Sequence, residues 1–149
     1  MAIEQKVRQV EELFDCLEKE ITAFKSETSL HCLTGCGKCC SKPEIDASPL
    51  EFLPWALHLF LNGKAEEVLL ELDNSSITTC HIYRPLALIE EYNGSCSNYR
   101  YRGLICRLFG YAANRDKYGE LRLATCKIIK EDQLENFNNT EEAINKGLY

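Results

Sequence analysis

An α-rich, small single domain, its helices set around an irregular cysteine-organised loop core with room for one small β-hairpin, is the fold class this sequence predicts. Three observations lead there. A run of apolar residues at helical spacing opens the chain. Nine cysteines occur in 149 residues, and most of them fall between the segments that read as regular elements. Hydrophobic residues make up 45% and charged residues 27%, an ordinary globular balance, so a packed core is available and the cysteines need not stand in for one. The length suits one domain.

Taken in order, the organisation is an N-terminal amphipathic helix over residues 1–26, a cysteine-cluster domain over 27–130 and a polar C-terminal helical tail over 131–149. In the first, Ile3, Val7, Val10, Phe14, Leu17, Ile21 and Phe24 alternate spacings of four and three, a narrow apolar stripe on one helix face. Such a stripe serves either a helix docked on its own domain or a helix that takes a protein partner. About three heptads are marginal for a free coiled coil, which favours docking. The loop over residues 26–47 carries Gly35 and Gly37 among its cysteines, where glycine lets the backbone turn tightly around a bound ion. Ser48-Pro49-Leu50-Glu51 is a helix start: Ser48 caps, Pro49 fits the first helical position and Glu51 closes a capping box. That helix runs through Trp55 and His58 to about Leu61, where Asn62-Gly63 ends it. Residues 65–72 read as a second short helix. Beyond Cys80 the pattern becomes irregular, then extended. Residues 108–113 and 119–125 can pair as a hairpin across Asn114, Arg115, Asp116 and Lys117. Thr140 is placed to cap a final short helix ending at Gly147.

Net charge is −6, which argues against non-specific nucleic-acid or anionic-membrane binding. No run of about 18 apolar residues marks a membrane span, and residues 1–20 are charged throughout, without the apolar core of a secretory signal. The expected compartment is therefore the cytoplasm, where thiols stay reduced and clustered cysteines point to metal before disulfides. The odd cysteine count also opposes a disulfide framework. The sequons at Asn74, Asn93 and Asn138 bear only on a secreted chain.

The chemistry lies in Cys32-Leu-Thr-Gly-Cys36-Gly-Lys-Cys39-Cys40. Thiols two or three residues apart on a turning loop can aim at one centre, as tetrahedral zinc or an iron–sulfur cluster requires. Neighbouring side chains tend to diverge, so the pair Cys39-Cys40 would rarely serve one ion together. Cys80, Cys96, Cys106 and Cys126 are too far apart in sequence to make a site locally and converge only through the fold. Together these are eight thiols, enough for two four-cysteine sites or one multinuclear site. Cys16 sits off the helix stripe and is excluded. His31 and His81 flank cysteines and are secondary candidates. His58, on an amphipathic helix, reads as packed or solvated, and Glu66, Glu67, Glu90 and Glu91 as solvated charges. A redox dithiol in Cys36-Gly-Lys-Cys39 lacks a surrounding βαβ pattern. A radical SAM reading of Cys32, Cys36 and Cys39 is disfavoured by Lys38 before the last cysteine and by a length well short of the ~250 residues of a whole barrel.

Thr34-Gly35-Cys36-Gly37-Lys38-Cys39-Cys40, Cys80, and the stretch Cys96-Ser-Asn-Tyr99-Arg-Tyr-Arg102-Gly-Leu-Ile-Cys106-Arg107-Leu-Phe109, with Cys126 as a last cysteine, resemble the YkgJ-type cysteine-cluster family, a zinc- or iron-chelating domain named for its CxxCxxCC motif. The resemblance covers about residues 30–128. It implies metal binding through Cys32, Cys36, Cys39, Cys40, Cys80, Cys96, Cys106 and Cys126, with zinc, iron or an iron–sulfur cluster bound. The family domain is also similar to part of flagellin lysine methylases, which makes a redox or protein-modifying role the alternative. Four departures stand out: the first spacing is one residue longer, Gly103 and Gly110 replace the family's prolines, and Cys80 is followed by His81 where the family has proline. Arg102 and Arg107 are placed to offset the charge of a thiolate site, and Tyr99 to pack. No catalytic constellation emerges beside this one.

Overall fold

A computed structural model describes residues 2–43, 45–86 and 94–149. The readings of Glu90 and Glu91 as solvated charges and of Asn93 as a sequon fall outside them. Among the described residues the fold is mainly helical: six α-helices and two short 3₁₀ turns accompany two antiparallel two-stranded sheets. None of these helices is long and apolar enough to cross a membrane. The chain divides into two compact units, Met1–Phe14 with Gly35–Leu104, and Asp15–Thr34 with Ile105–Tyr149.

Helix α1, Ile3–Thr28, contributes to both. Most of its stripe is packed: Val7, Val10, Phe14 and Ile21 are buried, while Ile3 is exposed, the outcome expected of a docked helix with a free first turn. It stops where Ser29 takes a left-handed φ of 58°.

In the first unit, Ser48 caps as the sequence predicts. Its hydroxyl accepts from Leu50 N–H at 3.3 Å and Glu51 Oε1 accepts from Ser48 N–H at 2.8 Å, which satisfies donors a helix start leaves open. The first turn, Pro49–Phe52, is 3₁₀ and leads into α2, Leu53–Leu61. Gly63, at φ 67°, ends it, and α3 follows over Ala65–Asn74. Strand β1, Tyr83–Pro85, pairs with β2, Gly94–Cys96, with Tyr83 opposite Cys96 and Pro85 opposite Gly94. This hairpin was not expected; three-residue strands carry almost no periodicity to read. A 3₁₀ turn at Tyr99–Tyr101 precedes α4, Leu104–Leu108. Glu51 holds that approach as well: its Oε2 accepts Leu104 N–H at 2.6 Å.

The second unit has a core of Leu30, Leu123, Ile129 and Phe137, with Phe24, Ala113, Cys126 and Ile144 packed against it. The expected second hairpin exists but is shorter and shifted. Strand β3 is Ala113–Arg115 and β4 is Leu121–Leu123, whereas Leu108 belongs to α4. The Asp116 carboxylate accepts the amides of Tyr118 and Glu120 at 2.8 and 3.1 Å, and Gly119 takes φ 87°, so a local Asx-type turn sets the register. Helices α5, Lys127–Asp132, and α6, Leu134–Asn145, follow. Helix α6 begins earlier than a Thr140 cap would allow: Thr140 is buried within it, its hydroxyl donating to Asn136 O at 2.6 Å. The stretch read as a polar tail places Phe137 in the core.

Candidate metal centre

Of the eight thiols singled out in sequence, Cys36, Cys39, Cys40, Cys80 and Cys96 lie in the first unit, and Cys32, Cys106 and Cys126 in the second. None of the nine cysteines is in a disulfide.

The first unit builds its thiol loop tightly. Gly35 takes φ 76°, a conformation glycine adopts without a Cβ penalty. Its carbonyl accepts Gly94 N–H at 3.0 Å, which ties the loop to the start of β2. Ser41 N–H donates to Gly37 O at 3.0 Å, and the Ser41 hydroxyl to Lys38 O, also at 3.0 Å. Within that closed turn the Sγ atoms of Cys39 and Cys40 stand 3.9 Å apart. Four sulfurs at ~2.3 Å from a tetrahedral ion define edges of about 3.8 Å. The expectation that these neighbours diverge is thus corrected: the tight turn directs both thiols to one side. Their contact has an electrostatic consequence. The Cys40 thiol, with the Cys39 and Cys40 backbone amides, lowers the Cys39 pKa to about 6 against the opposing effect of burial.

Cys80 and Cys96 flank the β1–β2 hairpin. Tyr83 N–H donates to Cys80 O at 3.1 Å, and Ile82 O accepts both the amide and the hydroxyl of Ser97, at 2.8 and 3.0 Å. Burial raises the Cys96 pKa and the neighbouring Cys80 adds to that, while the Asn98 amide and the Arg102 charge oppose them. Arg102 thereby exerts its charge on a thiol. Its guanidinium lies 3.9 Å from the Tyr99 ring centroid and donates to the Tyr99 hydroxyl. Tyr99 is 59% exposed and props this arginine instead of packing in a core.

In the second unit Cys126 is half-buried against the core, and its Sγ accepts Ile129 N–H at 3.5 Å, capping α5. Cys106 and Cys32 are exposed. Arg107 is buried and donates to Glu18 Oε1 at 2.9 Å, so its charge is met by a carboxylate of α1. Cys16 is exposed, 3.8 Å from Glu20 Oε1. His31 Nδ1 faces Ser29 O at 3.0 Å. His81 Nε2 lies 3.5 Å from Glu71 Oε2, with its ring against Trp55. His58 is exposed, its ring beside Tyr101 and its Nδ1 near the Asn62 amide.

Among the described residues no three histidine, cysteine, aspartate or glutamate side chains are arranged to hold a metal ion together. The donor chemistry of the first unit nevertheless suits a thiophilic ion: one sulfur pair already spans a tetrahedral edge, one of its thiols ionises readily, and further thiols lie on the same unit.

Two residues of consequence, and a second role of a third, were missed in sequence. Tyr83 occupies the space over both Gly37 and Gly94. Gln133 pins the segment before Cys32, donating to His31 O at 2.7 Å and accepting His31 N–H at 3.0 Å. The second oxygen of Glu51 reaches Leu104. Each acts across a sequence separation that no local pattern reports. Gly110 was legible only as an exception: it takes φ 94°, which proline, fixed near −65°, cannot adopt.

No family model, curated protein or solved structure matches this chain.

Proposed function

We propose that this protein binds a thiophilic metal, zinc or iron, through the cysteine cluster of its first unit. Cys36, Cys39, Cys40, Cys80 and Cys96 are the ligand candidates there, and the YkgJ-type resemblance of the thiol loop supports the same reading. The observation that carries it is the Cys39–Cys40 pair, 3.9 Å between sulfurs, with Cys39 ionising near pH 6. A metal ligand must be a thiolate, so a thiol already largely ionised at neutral pH surrenders its proton at little cost. Cys32, Cys106 and Cys126 lie in the second unit, where Cys126 caps α5.

Elemental analysis and an absorption spectrum of untagged protein purified without oxygen test this. Stoichiometric zinc without colour, or iron with or without sulfide, supports metal binding and identifies the ion. Cys36→Ser and Cys96→Ser each release metal and lower the melting temperature, because site formation is coupled to folding. Metal-free wild-type protein, or full metal content and unchanged melting in both variants, overturns the proposal.

A further inference from the structure

Gly37 and Gly94 meet at one aromatic ring. A Cβ built on Gly37 would stand 2.6 Å from Tyr83 Cε2 and 2.8 Å from its hydroxyl oxygen; one built on Gly94 would stand 2.2 Å from Cε2 and 2.7 Å from the hydroxyl oxygen. Real Cβ atoms do not come this close to a ring, so each glycine is present for the room it leaves. Neither needs a left-handed φ, unlike Gly35 at 76°. One side of one ring therefore lies along two backbones: the residue after Cys36, and the first residue of β2.

Two further observations point to the same junction. Gly94 N–H donates to Gly35 O at 3.0 Å, joining those backbones directly. The hairpin register sets Tyr83 opposite Cys96. Tyr83 thus sits on the strand that faces Cys96, with its ring on the loop of Cys36, Cys39 and Cys40.

We infer that Tyr83 is a positioning residue for the thiol cluster, its ring holding the loop of Cys36, Cys39 and Cys40 against the strand that carries Cys96. The inference rests on the metal-binding reading for its consequence, since what the ring positions is the ligand set. The ring edge, Cε2 and Cζ, lies on both glycines beside the hydroxyl, so phenylalanine retains most of the clamp and a small aliphatic residue does not. Gly94 is the matching half, because any side chain there drives the ring and the loop apart.

The experiment compares full-length wild type, Tyr83→Phe, Tyr83→Leu and Gly94→Ala. It uses cobalt(II) titration, followed through the absorption of thiolate-bound cobalt, with circular dichroism as a check of helix content. Residues that orient metal ligands typically cost roughly 10–100-fold in affinity when lost. Tyr83→Phe stays within about threefold of wild type, whereas Tyr83→Leu and Gly94→Ala weaken cobalt binding at least about tenfold and alter the thiolate bands with helix content kept. Wild-type affinity and bands in Tyr83→Leu and Gly94→Ala overturn the inference, as does equal loss in Tyr83→Phe.

A second readout separates this result from failure of metal binding itself. In metal-free protein, alkylation of Cys36, Cys39 and Cys96 is timed by peptide mass spectrometry. If wild type binds no cobalt, the metal proposal fails, and the clamp stands or falls on these rates. Faster labelling in Tyr83→Leu with wild-type rates in Tyr83→Phe supports it. Equal rates in all four proteins overturn it.

Discussion

Cys39 and Cys40 illustrate how little backbone is needed to change the chemistry of a side chain. Consecutive residues in an extended strand point to opposite faces; in the turn closed by Ser41 their sulfurs come within 3.9 Å. The Cys40 contact then favours the charged form of Cys39. In metal-free protein the rate of Cys39 alkylation should rise with a midpoint near pH 6, against about 8.5 for an ordinary cysteine. Replacing Cys40 with alanine removes the main cause of the lowering and moves the midpoint upward. The sign for stability follows from the same shift. The folded-state pKa lies below the unfolded one, so the stabilisation is complete only above the ordinary thiol range and is lost as pH falls through about 6. Pulsed alkylation across a pH series checks the midpoint, and a midpoint near 8.5 in wild type would contradict the assigned interaction.

At the scale of elements, short pieces are held by side chains reaching over long separations. Strand β4 has one strand neighbour, and its other edge is met from α6. Asn145 accepts Leu121 N–H at 2.7 Å and donates to Leu121 O at 3.0 Å, and Glu141 accepts Leu123 N–H at 3.0 Å. Two-stranded hairpins are marginal alone, and these bonds satisfy the backbone groups a free edge would present. Gln133 does the same for the backbone of His31. Gln133→Ala should lower stability by about 1–3 kcal/mol, two hydrogen bonds at ~0.5–1.5 each, read by urea denaturation. No loss beyond ~0.3 kcal/mol would mean that water replaces the amide at no net cost. The capping box at Ser48 is a second local device, and Ser48→Ala is expected to cost ~1 kcal/mol in the same measurement.

For the whole molecule, the two units differ in what holds them. The second has a contiguous apolar core around Leu30, Leu123, Ile129 and Phe137. The first carries exposed apolar side chains along α2 and α3, among them Phe60, Leu61, Leu69 and Leu70, and it contains the thiol loop. A bound ion would therefore add most to the first unit. A ligand that binds only the native state stabilises by about 2.7 kcal/mol at a hundredfold excess over its Kd. A strong chelator should lower the melting temperature of metal-loaded protein and raise hydrogen exchange over residues 35–104 more than over residues 105–149. Uniform exchange in the two segments, with or without chelator, would argue against a metal seated in the first unit.

Much of this protein was legible locally. The stripe of α1, the Ser48 capping box, the stop at Gly63 and the second helix after it are written in neighbouring residues, because helices are made from interactions three and four positions apart. The thiol loop was legible for the same reason: its cysteines and glycines are close in sequence. Tertiary structure alone decided the rest. The β1–β2 hairpin, the Tyr83 contact with Gly37 and Gly94, the Gln133 latch and the division of the eight thiols between two units depend on residues far apart in the chain. Their pairing is selected by packing and by the satisfaction of buried backbone groups, which a linear pattern does not encode residue by residue. The sequence by itself determined which thiols the chain carries; the fold decided which of them stand next to one another.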